Sequence, residues 1–265
     1  MRILFIGDIV GSPGRDAVRH ILPKLKKAEA IDFVIANAEN AAGGTGITPR
    51  VANDLFGAGC DVLTAGDHIW RRQEVLEIIN NPNIIRPLNF YKDCPGNGFG
   101  FYNTKATETI CVVSLIGRVF IESQSESPFV VIRDILPKLK SKTNIIIVDM
   151  HAEATSEKVA MGWFLDGEVS AVLGTHTHIQ TADERILPCG TAYITDVGMT
   201  GPFDSVIGRK KEKIIERFLT GMPIRFELGT ADIHLQAVIV DINPNNGKCL
   251  AIQRVKEKLN QEAEK

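Results

Sequence analysis

Short apolar runs alternate with amphipathic stretches along the first third of the chain. Arg2–Gly7, Asp32–Asn37 and Val62–Thr64 are brief and β-branched and read as strands. Arg15–Lys27 and Pro49–Ala58, between them, carry a helical pattern. That alternation predicts βαβ units and a sheet with parallel strands. After Arg86-Pro87 the pattern changes. Gly98–Tyr102 and Thr109–Leu115 lie close together like a hairpin, and Phe129–Lys140 is a helical stretch. Asn144–Asp149 and Ala171–Thr175 are apolar strands flanking a helical Ser156–Leu165. Thr191–Thr195, Arg225–Leu228 and His234–Asp241 supply further strands, with a helix at about Arg209–Leu219. Lys256–Lys265 is charged and expected to be solvated. No linker or low-complexity stretch divides the chain, so residues 1–265 are expected to form one α/β domain. The hexapeptide Ile21–Lys26 recurs letter for letter as Ile135–Lys140. Each copy closes a helical segment before an apolar strand, as two pseudo-equivalent halves or a coincidence of six letters would give.

Composition narrows the class. With 44% apolar and 23% charged residues in 265, the chain can bury a substantial core. No apolar run approaches the roughly 18 residues of a membrane span, and the segment after Met1-Arg2 reads as a first strand, not a signal peptide. A net charge of −2 and the lack of an interleaved basic-aromatic stripe argue against long nucleic acid as partner. Five scattered cysteines without a CxxC suggest a reduced, cytoplasmic protein whose thiols are small buried apolar groups.

The chemistry concentrates directly after apolar strands. Asp8 follows the first strand, Glu39-Asn40 the second, Asp67-His68 the third, His151 the strand at 144–149, and His176 and His178 the strand at 171–175. In open α/β sheets functional groups gather at the carboxyl ends of strands, so five such ends bring eight residues to one place if the strands are neighbours. Carboxylates, imidazoles and an amide oxygen without thiolate suit borderline or hard divalent ions such as Mn²⁺, Fe²⁺ or Zn²⁺. In extended chain His176 and His178 would point the same way and face one site. His20 and His234 fall within a helix and a strand and read as structural. Taken singly, Asp8 could cap a helix and Glu39-Asn40 could be a turn. Gly43–Gly46 is either a flexible connector or a place where a ligand approaches backbone. Gly7, Gly11 and Gly14 do not have dinucleotide-loop spacing.

GDIVGSPGR (Gly7–Arg15), AENAAGGTGIT (Ala38–Thr48), GDHIW (Gly66–Trp70), RPLNF (Arg86–Phe90), DMHAEATSEK (Asp149–Lys158) and the long segment Gly174–Pro202 resemble the YmdB-like bacterial branch of the calcineurin-like metallophosphoesterases. The resemblance runs from Met1 to about Asp241. It implies a four-layer αββα sandwich, a dinuclear centre of iron or manganese, and phosphodiesterase activity on 2′,3′-cyclic nucleotides. Carried over residue by residue, it makes Asp8, Glu39, Asn40 and His178 ligands of one metal. Glu39, Asp67, His151 and His176 become ligands of the other, with Glu39 bridging and His68 as the catalytic histidine. Two positions depart from the pattern. Val10 stands where the wider superfamily has a histidine, a loss the branch shares, with Asn40 substituting. Asp67 stands where the family usually has asparagine, which alters the charge of the centre.

The expected reaction is in-line attack on phosphorus by a hydroxide held between the metals, with His68 as general acid for the leaving alkoxide. The expected partner is a small cyclic nucleotide or other phosphodiester, with no membrane and with a homo-oligomer left open. Two other readings use the same residues: a monoesterase or nuclease, and a slow-turnover nucleotide-binding signalling protein, for which Asp67 is the one supporting feature.

Overall fold

The central strands of this chain are apolar along most of their length and buried, which a strand tolerates only when both its faces are covered. The computed structural model describes residues 1–104, 108–122 and 124–260. Its strands, in chain order, are β1 (Arg2–Ile6), β2 (Asp8–Ile9), β3 (Phe33–Asn37), β4 (Val62–Thr64), β5 (Ile84–Ile85), β6 (Phe99–Asn103), β7 (Thr109–Ile116), β8 (Ile145–His151), β9 (Ala171–Thr175), β10 (Arg185–Ile186), β11 (Ala192–Ile194), β12 (Met199–Pro202), β13 (Ile233–Ile242) and β14 (Cys249–Lys258). The helices are α1 (Gly11–Ala28), α2 (Pro49–Ala58), α3 (Pro128–Lys140), α4 (Thr155–Phe164) and α5 (Lys211–Thr220).

Two sheets form. The first has the order β2-β12-β13-β1-β3-β4-β5, with β14 also paired to β13, and the second β10-β11-β9-β8-β7-β6. Strands β1, β3, β4 and β5 run parallel, as do β7, β8, β9 and β11, so both sheets aim carboxyl ends one way within themselves. Alternation along each strand sorts the core into layers. Leu4 and Ile6 of β1 pack with Ala17, Val18 and Leu22 of α1. Ile3 and Phe5, on the opposite face, meet Ile110, Val112, Ile145 and Ile147 of the second sheet. Ile146 and Val148 then turn outward to Ile132 and Leu139 of α3 and Met161 of α4. The order is helix, sheet, sheet, helix, the expected αββα sandwich. A core truncation such as Leu22→Ala would cost about 2–5 kcal/mol, since that side chain is fully buried.

The two hexapeptide copies end α1 and α3, one helix on each outer layer. Each helix leads to a central strand, β3 in one sheet and β8 in the other. The Gly98–Tyr102 and Thr109–Leu115 pair is the antiparallel β6–β7. One expectation needs correction and another needs an addition, since Lys256–Lys258 is exposed as expected but also part of a strand. Arg225–Leu228 is not a strand: Pro223 precedes it, its residues are half-buried or exposed, and only Leu228 forms an isolated bridge, to Arg209. Lys256–Lys258 is the end of strand β14, paired to β13 from His234↔Lys258 onward, and 261–265 lie outside the described residues. The lysines and glutamate of that strand lie on the exposed side of an edge, where charge discourages further pairing. The cysteines also divide: Cys60, Cys111 and Cys249 are buried as expected, but Cys94 is half-buried and Cys189 exposed.

Candidate metal centre

The site sits where the two sheets bring their strand ends together. Asp8 opens β2, Glu39 and Asn40 follow β3, and Asp67 and His68 follow β4, all from the first sheet. His151 ends β8, and His176 and His178 follow β9, in the second. The acidic and amide groups therefore come from one sheet and three of the imidazoles from the other.

One ligand atom from each of Glu39, Asp67, His151 and His176 lies within 4.8 Å of the others. His151 Nε2 is 3.0 Å from Glu39 Oε2, 3.2 Å from Asp67 Oδ1 and 3.0 Å from His176 Nδ1. Asn40 and His178 stand beside this group. Asn40 Nδ2 donates to Glu39 Oε1 at 2.9 Å and lies 3.2 Å from His178 Nε2. Glu39 thus divides its oxygens, Oε2 toward His151 and Oε1 toward Asn40 and His68. Asp8 Oδ2 accepts from the His176 backbone N–H at 3.1 Å. All eight residues named from the sequence are at this one place.

His176 and His178 reach it differently from the extended geometry expected. Both have positive φ, 97° and 66°, because β9 ends at Thr175 and the chain turns at once. The turn is fastened by Asp196, which accepts from the Thr177 N–H at 3.1 Å, the Thr177 hydroxyl at 2.7 Å and the buried Lys158 ammonium at 2.7 Å. Left-handed backbone at two non-glycine residues costs of order 1–3 kcal/mol each, and this fully buried anchor helps hold it.

The residues fit a cation. Asp8 Oδ1 is buried and has no hydrogen-bond partner, an arrangement proteins rarely leave unless an ion or water satisfies it. A Cβ at position 66 would lie 2.2 Å from His151 Nε2 and 2.3 Å from Glu39 Oε2, so only glycine lets these donors converge there. Two of the imidazoles present a defined nitrogen. His178 Nδ1 lies 3.1 Å from the Ile207 carbonyl, which takes its proton and leaves Nε2 bare. His176 Nε2 lies 3.1 Å from Glu153, leaving Nδ1 bare toward the cluster. Such outer partners orient metal-binding imidazoles.

The electrostatics point the same way. Burial raises the Asp8 carboxyl well above the usual range, with Glu39 and Asp196 adding to it against the pull of His151. Burial also pushes Glu39 and Asp67 up, but the neighbouring histidines, His151 foremost, outweigh it and hold both below the ordinary range. Burial pulls His151 down, and Glu39, Asp67 and Asp8 overcome that and hold it well above an ordinary histidine. His176 is pulled down to about 4 by burial and by the charge on His151. Burial lowers His178 as well. For His68, burial acts downward, and the Glu39 hydrogen bond and charge, with Asp67, carry it upward. The carboxylates favour positive charge at His151 and His68, whereas burial keeps it off His176 and His178.

Sequence reading missed the supporting residues: Asn37, Thr64, Asp149 and Thr175 under the cluster, Glu153 on His176, and Asp196 with Lys158 behind the turn. A buried aspartate inside the apolar run IIIVDMH was the available signal. The Gly43–Gly46 stretch is tied down by two arginines. Arg209 donates to the Gly44 carbonyl at 2.7 Å, and Arg72 reaches the Thr45 and Ala42 carbonyls. A Cβ on Gly44 would meet the Arg209 guanidinium at 2.6 Å, so glycine there makes room for a side chain of this protein.

Comparison with known proteins follows the same architecture. The chain is 46% identical over 256 residues to the 2′,3′-cyclic-nucleotide 2′-phosphodiesterase of Bacillus subtilis (strain 168), covering 96% of each protein. The crystal structure titled a novel phosphatase from Mycoplasma pneumoniae superposes with a TM-score of 0.92 at 35% identity, covering 97% of this chain and 93% of that one. The calcineurin-like phosphoesterase YfkN from Bacillus subtilis superposes with a TM-score of 0.60 at 10% identity, over 97% of this chain and 90% of its own, which establishes the shared fold. The YmdB-like protein family model matches residues 4–255, nearly the whole of this sandwich with every one of the clustered residues inside it, and the chain belongs to that family.

Proposed function

We propose that this protein is a metal-dependent phosphodiesterase, with residues 1–265 as a single catalytic domain working in the reducing cytoplasm and 2′,3′-cyclic nucleotides as its substrates. The observation that carries the reading is the divided carboxylate of Glu39. One oxygen faces His151, with Asp67 and His176 around it, and the other faces Asn40, with His178 beyond. That arrangement supports two adjoining cation sites sharing one ligand, which Asp8, Glu39, Asn40 and His178 would hold on one side and Glu39, Asp67, His151 and His176 on the other. The donor set of oxygens and imidazoles suits manganese, iron or zinc.

Two cations bound there would supply Lewis-acid charge to a phosphoester and acidify water at neutral pH. The chain's own residues do the rest. Asp8, Glu39 and His151 are fully buried and form the floor, whereas Asp67, His68, His176 and His178 are partly exposed and form the mouth. A phosphodiester therefore approaches from the His68 side. His68 Nδ1 is occupied by Glu39 Oε1 at 3.1 Å and Asn40 Oδ1 at 3.0 Å, which fixes the ring and turns Nε2 away from the floor. The Glu39 hydrogen bond and charge, with Asp67, shift its pKa upward against burial, the direction that favours a general acid for an alkoxide leaving group. The cyclic-nucleotide assignment rests on the activity named for the Bacillus subtilis relative. Among the described residues no helix is long and apolar enough to cross a membrane.

The test is one purified sample with Mn²⁺ assayed against 2′,3′-cyclic AMP, 3′,5′-cyclic AMP, an aryl phosphodiester and an aryl phosphomonoester. Preferential hydrolysis of the 2′,3′-cyclic nucleotide is expected. Tight binding without turnover would favour a signalling role, and turnover of monoesters alone would make the protein a phosphatase. Either result overturns the proposal.

A further inference from the structure

Below the donor cluster, in the seam between the sheets, lies a second polar layer centred on Asp149. Its carboxylate is fully buried and accepts three hydrogen bonds from neutral groups. Thr64 Oγ1 donates to Oδ2 at 2.5 Å and Asn37 Nδ2 to the same oxygen at 3.0 Å, both from the first sheet. Thr175 Oγ1, from β9, donates to Oδ1 at 2.7 Å. Each member lies one to three positions before a residue of the upper cluster: Asn37 before Glu39, Thr64 before Asp67, Asp149 before His151, Thr175 before His176. Four strand ends thus place one residue in the lower layer and one in the upper.

Thr175 joins the layers. Its Oγ1 lies 2.7 Å from Asp149 Oδ1 and 2.9 Å from His151 Nδ1. A hydroxyl has one hydrogen, and a carboxylate can only accept. The hydroxyl hydrogen therefore goes to Asp149, and Thr175 Oγ1 accepts a hydrogen bond from His151 Nδ1–H. Asn37 Nδ2, 3.4 Å from that nitrogen, is itself a donor and cannot take the proton. His151 therefore keeps Nδ1–H downward, and Nε2, which faces the Glu39 and Asp67 carboxylates and donates to them when no cation is bound, is the nitrogen a cation would take over.

We propose that Asp149, acting through Thr175, holds His151 in the Nδ1–H form with Nε2 aimed into the cluster, so that both are positioning residues for cation binding. The inference rests on the metal-centre reading above. Removing a partner of this kind typically weakens metal binding about 10–100-fold. Asp149→Asn has a determinate consequence. Oδ2 accepts two donors, so the new amide nitrogen must take the Oδ1 place and donate to Thr175. The threonine hydrogen is then free to turn toward His151 Nδ1, which favours the other tautomer and puts a proton on Nε2.

The experiment uses the full chain, loaded with Zn²⁺ as a diamagnetic probe, with affinity read by competition against a chromophoric chelator. The variants are Thr175→Val, Thr175→Ser and Asp149→Asn, each checked for native near-ultraviolet circular dichroism. Thr175→Val and Asp149→Asn should bind Zn²⁺ about 10–100-fold more weakly, and Thr175→Ser, which restores the hydroxyl, should bind like the parent. Long-range ¹H–¹⁵N spectra of histidine-labelled parent should show His151 protonated at Nδ1 and metallated at Nε2. Should Asp149→Asn fail to fold, the Val and Ser pair still decides. Parent-like affinity in Thr175→Val, or loss in Thr175→Ser equal to that in Thr175→Val, would overturn the relay and leave the metal centre standing. A parent that takes up no Zn²⁺ would overturn the metal centre and the relay together.

Discussion

Asp67→Asn separates the two tasks a carboxylate can have at this centre. Two divalent cations bring +4 and the carboxylates of Asp8, Glu39 and Asp67 bring −3, leaving +1; asparagine at 67 leaves +2. The extra anion should hold cations more tightly and weaken their pull on an anionic phosphodiester. The structure adds a second term, because Asp67 Oδ2 lies 3.5 Å from His68 Nε2. Unit charges at that separation interact by about 1 kcal/mol in bulk water and about 5 kcal/mol at an effective dielectric of 20. With a quarter of the His68 side chain and a fifth of Asp67 exposed, the true value lies between. Asp67 is among the groups that raise His68, against burial, which lowers it. Removing its charge must lower the His68 pKa. The variant should therefore bind Mn²⁺ more weakly. At saturating metal, on the acidic side of the profile, it should hydrolyse a cyclic diester at least as fast as the parent. Its alkaline limb, where His68 loses the proton it must donate, should fall at lower pH. The assay is kcat/KM against pH with metal stoichiometry measured on the same samples. A tenfold loss on the acidic side at full occupancy, about 1.4 kcal/mol of transition-state stabilisation, or an alkaline limb that does not move, would refute this reasoning.

His68→Gln should keep its full metal complement by elemental analysis and lose rate, with a smaller loss for a nitrophenolate leaving group than for an alkoxide. Equal losses on both would remove the acid role. Lys158→Met leaves the buried Asp196 carboxylate without its cation and should lower stability by about 3–5 kcal/mol in urea denaturation. Adding Asp196→Asn should recover part of that. Chelation should lower Tm, since a site held at a hundred times its Kd adds about 2.7 kcal/mol to the folded state. A Tm indifferent to chelator and to added Mn²⁺ would count against cations joining the two sheets.

What could be seen in the sequence follows from the physics of each part. The parallel strands were legible because burial on both faces forces continuous apolar runs, as in Ile3–Ile6 and Ile145–Val148. The upper donor layer was legible because each run stops abruptly at a carboxylate or imidazole. Strand β14 was not, because eight of its ten residues are not buried and its charged letters read as solvated tail. Arg225–Leu228 misled in the other direction, since Arg-Phe-Glu-Leu alternates like a strand but has no neighbouring edge to pair with over its length. The lower layer was hidden by size. Thr64 and Thr175 are threonines at the ends of apolar strands, where threonine is ordinary, and nothing local says that their hydroxyls meet across two sheets.

That crossing bears on how the site is assembled. The carboxylates Asp8, Glu39 and Asp67 hang from the first sheet, and His151, His176 and His178 from the second. Neither sheet alone holds the whole set: the first carries the three carboxylates with His68 among them, and the second carries the other three imidazoles. Packing of the apolar seam brings them together, and the hydrogen bonds of Asp149 to Asn37 and Thr64 fix the register of that seam directly beneath the donors. A cation bound there would meet ligands already oriented, and its binding would add to the adhesion of the sheets. On the proposed reading, metal binding and sheet packing are one equilibrium, and a substitution in the lower layer should act on both.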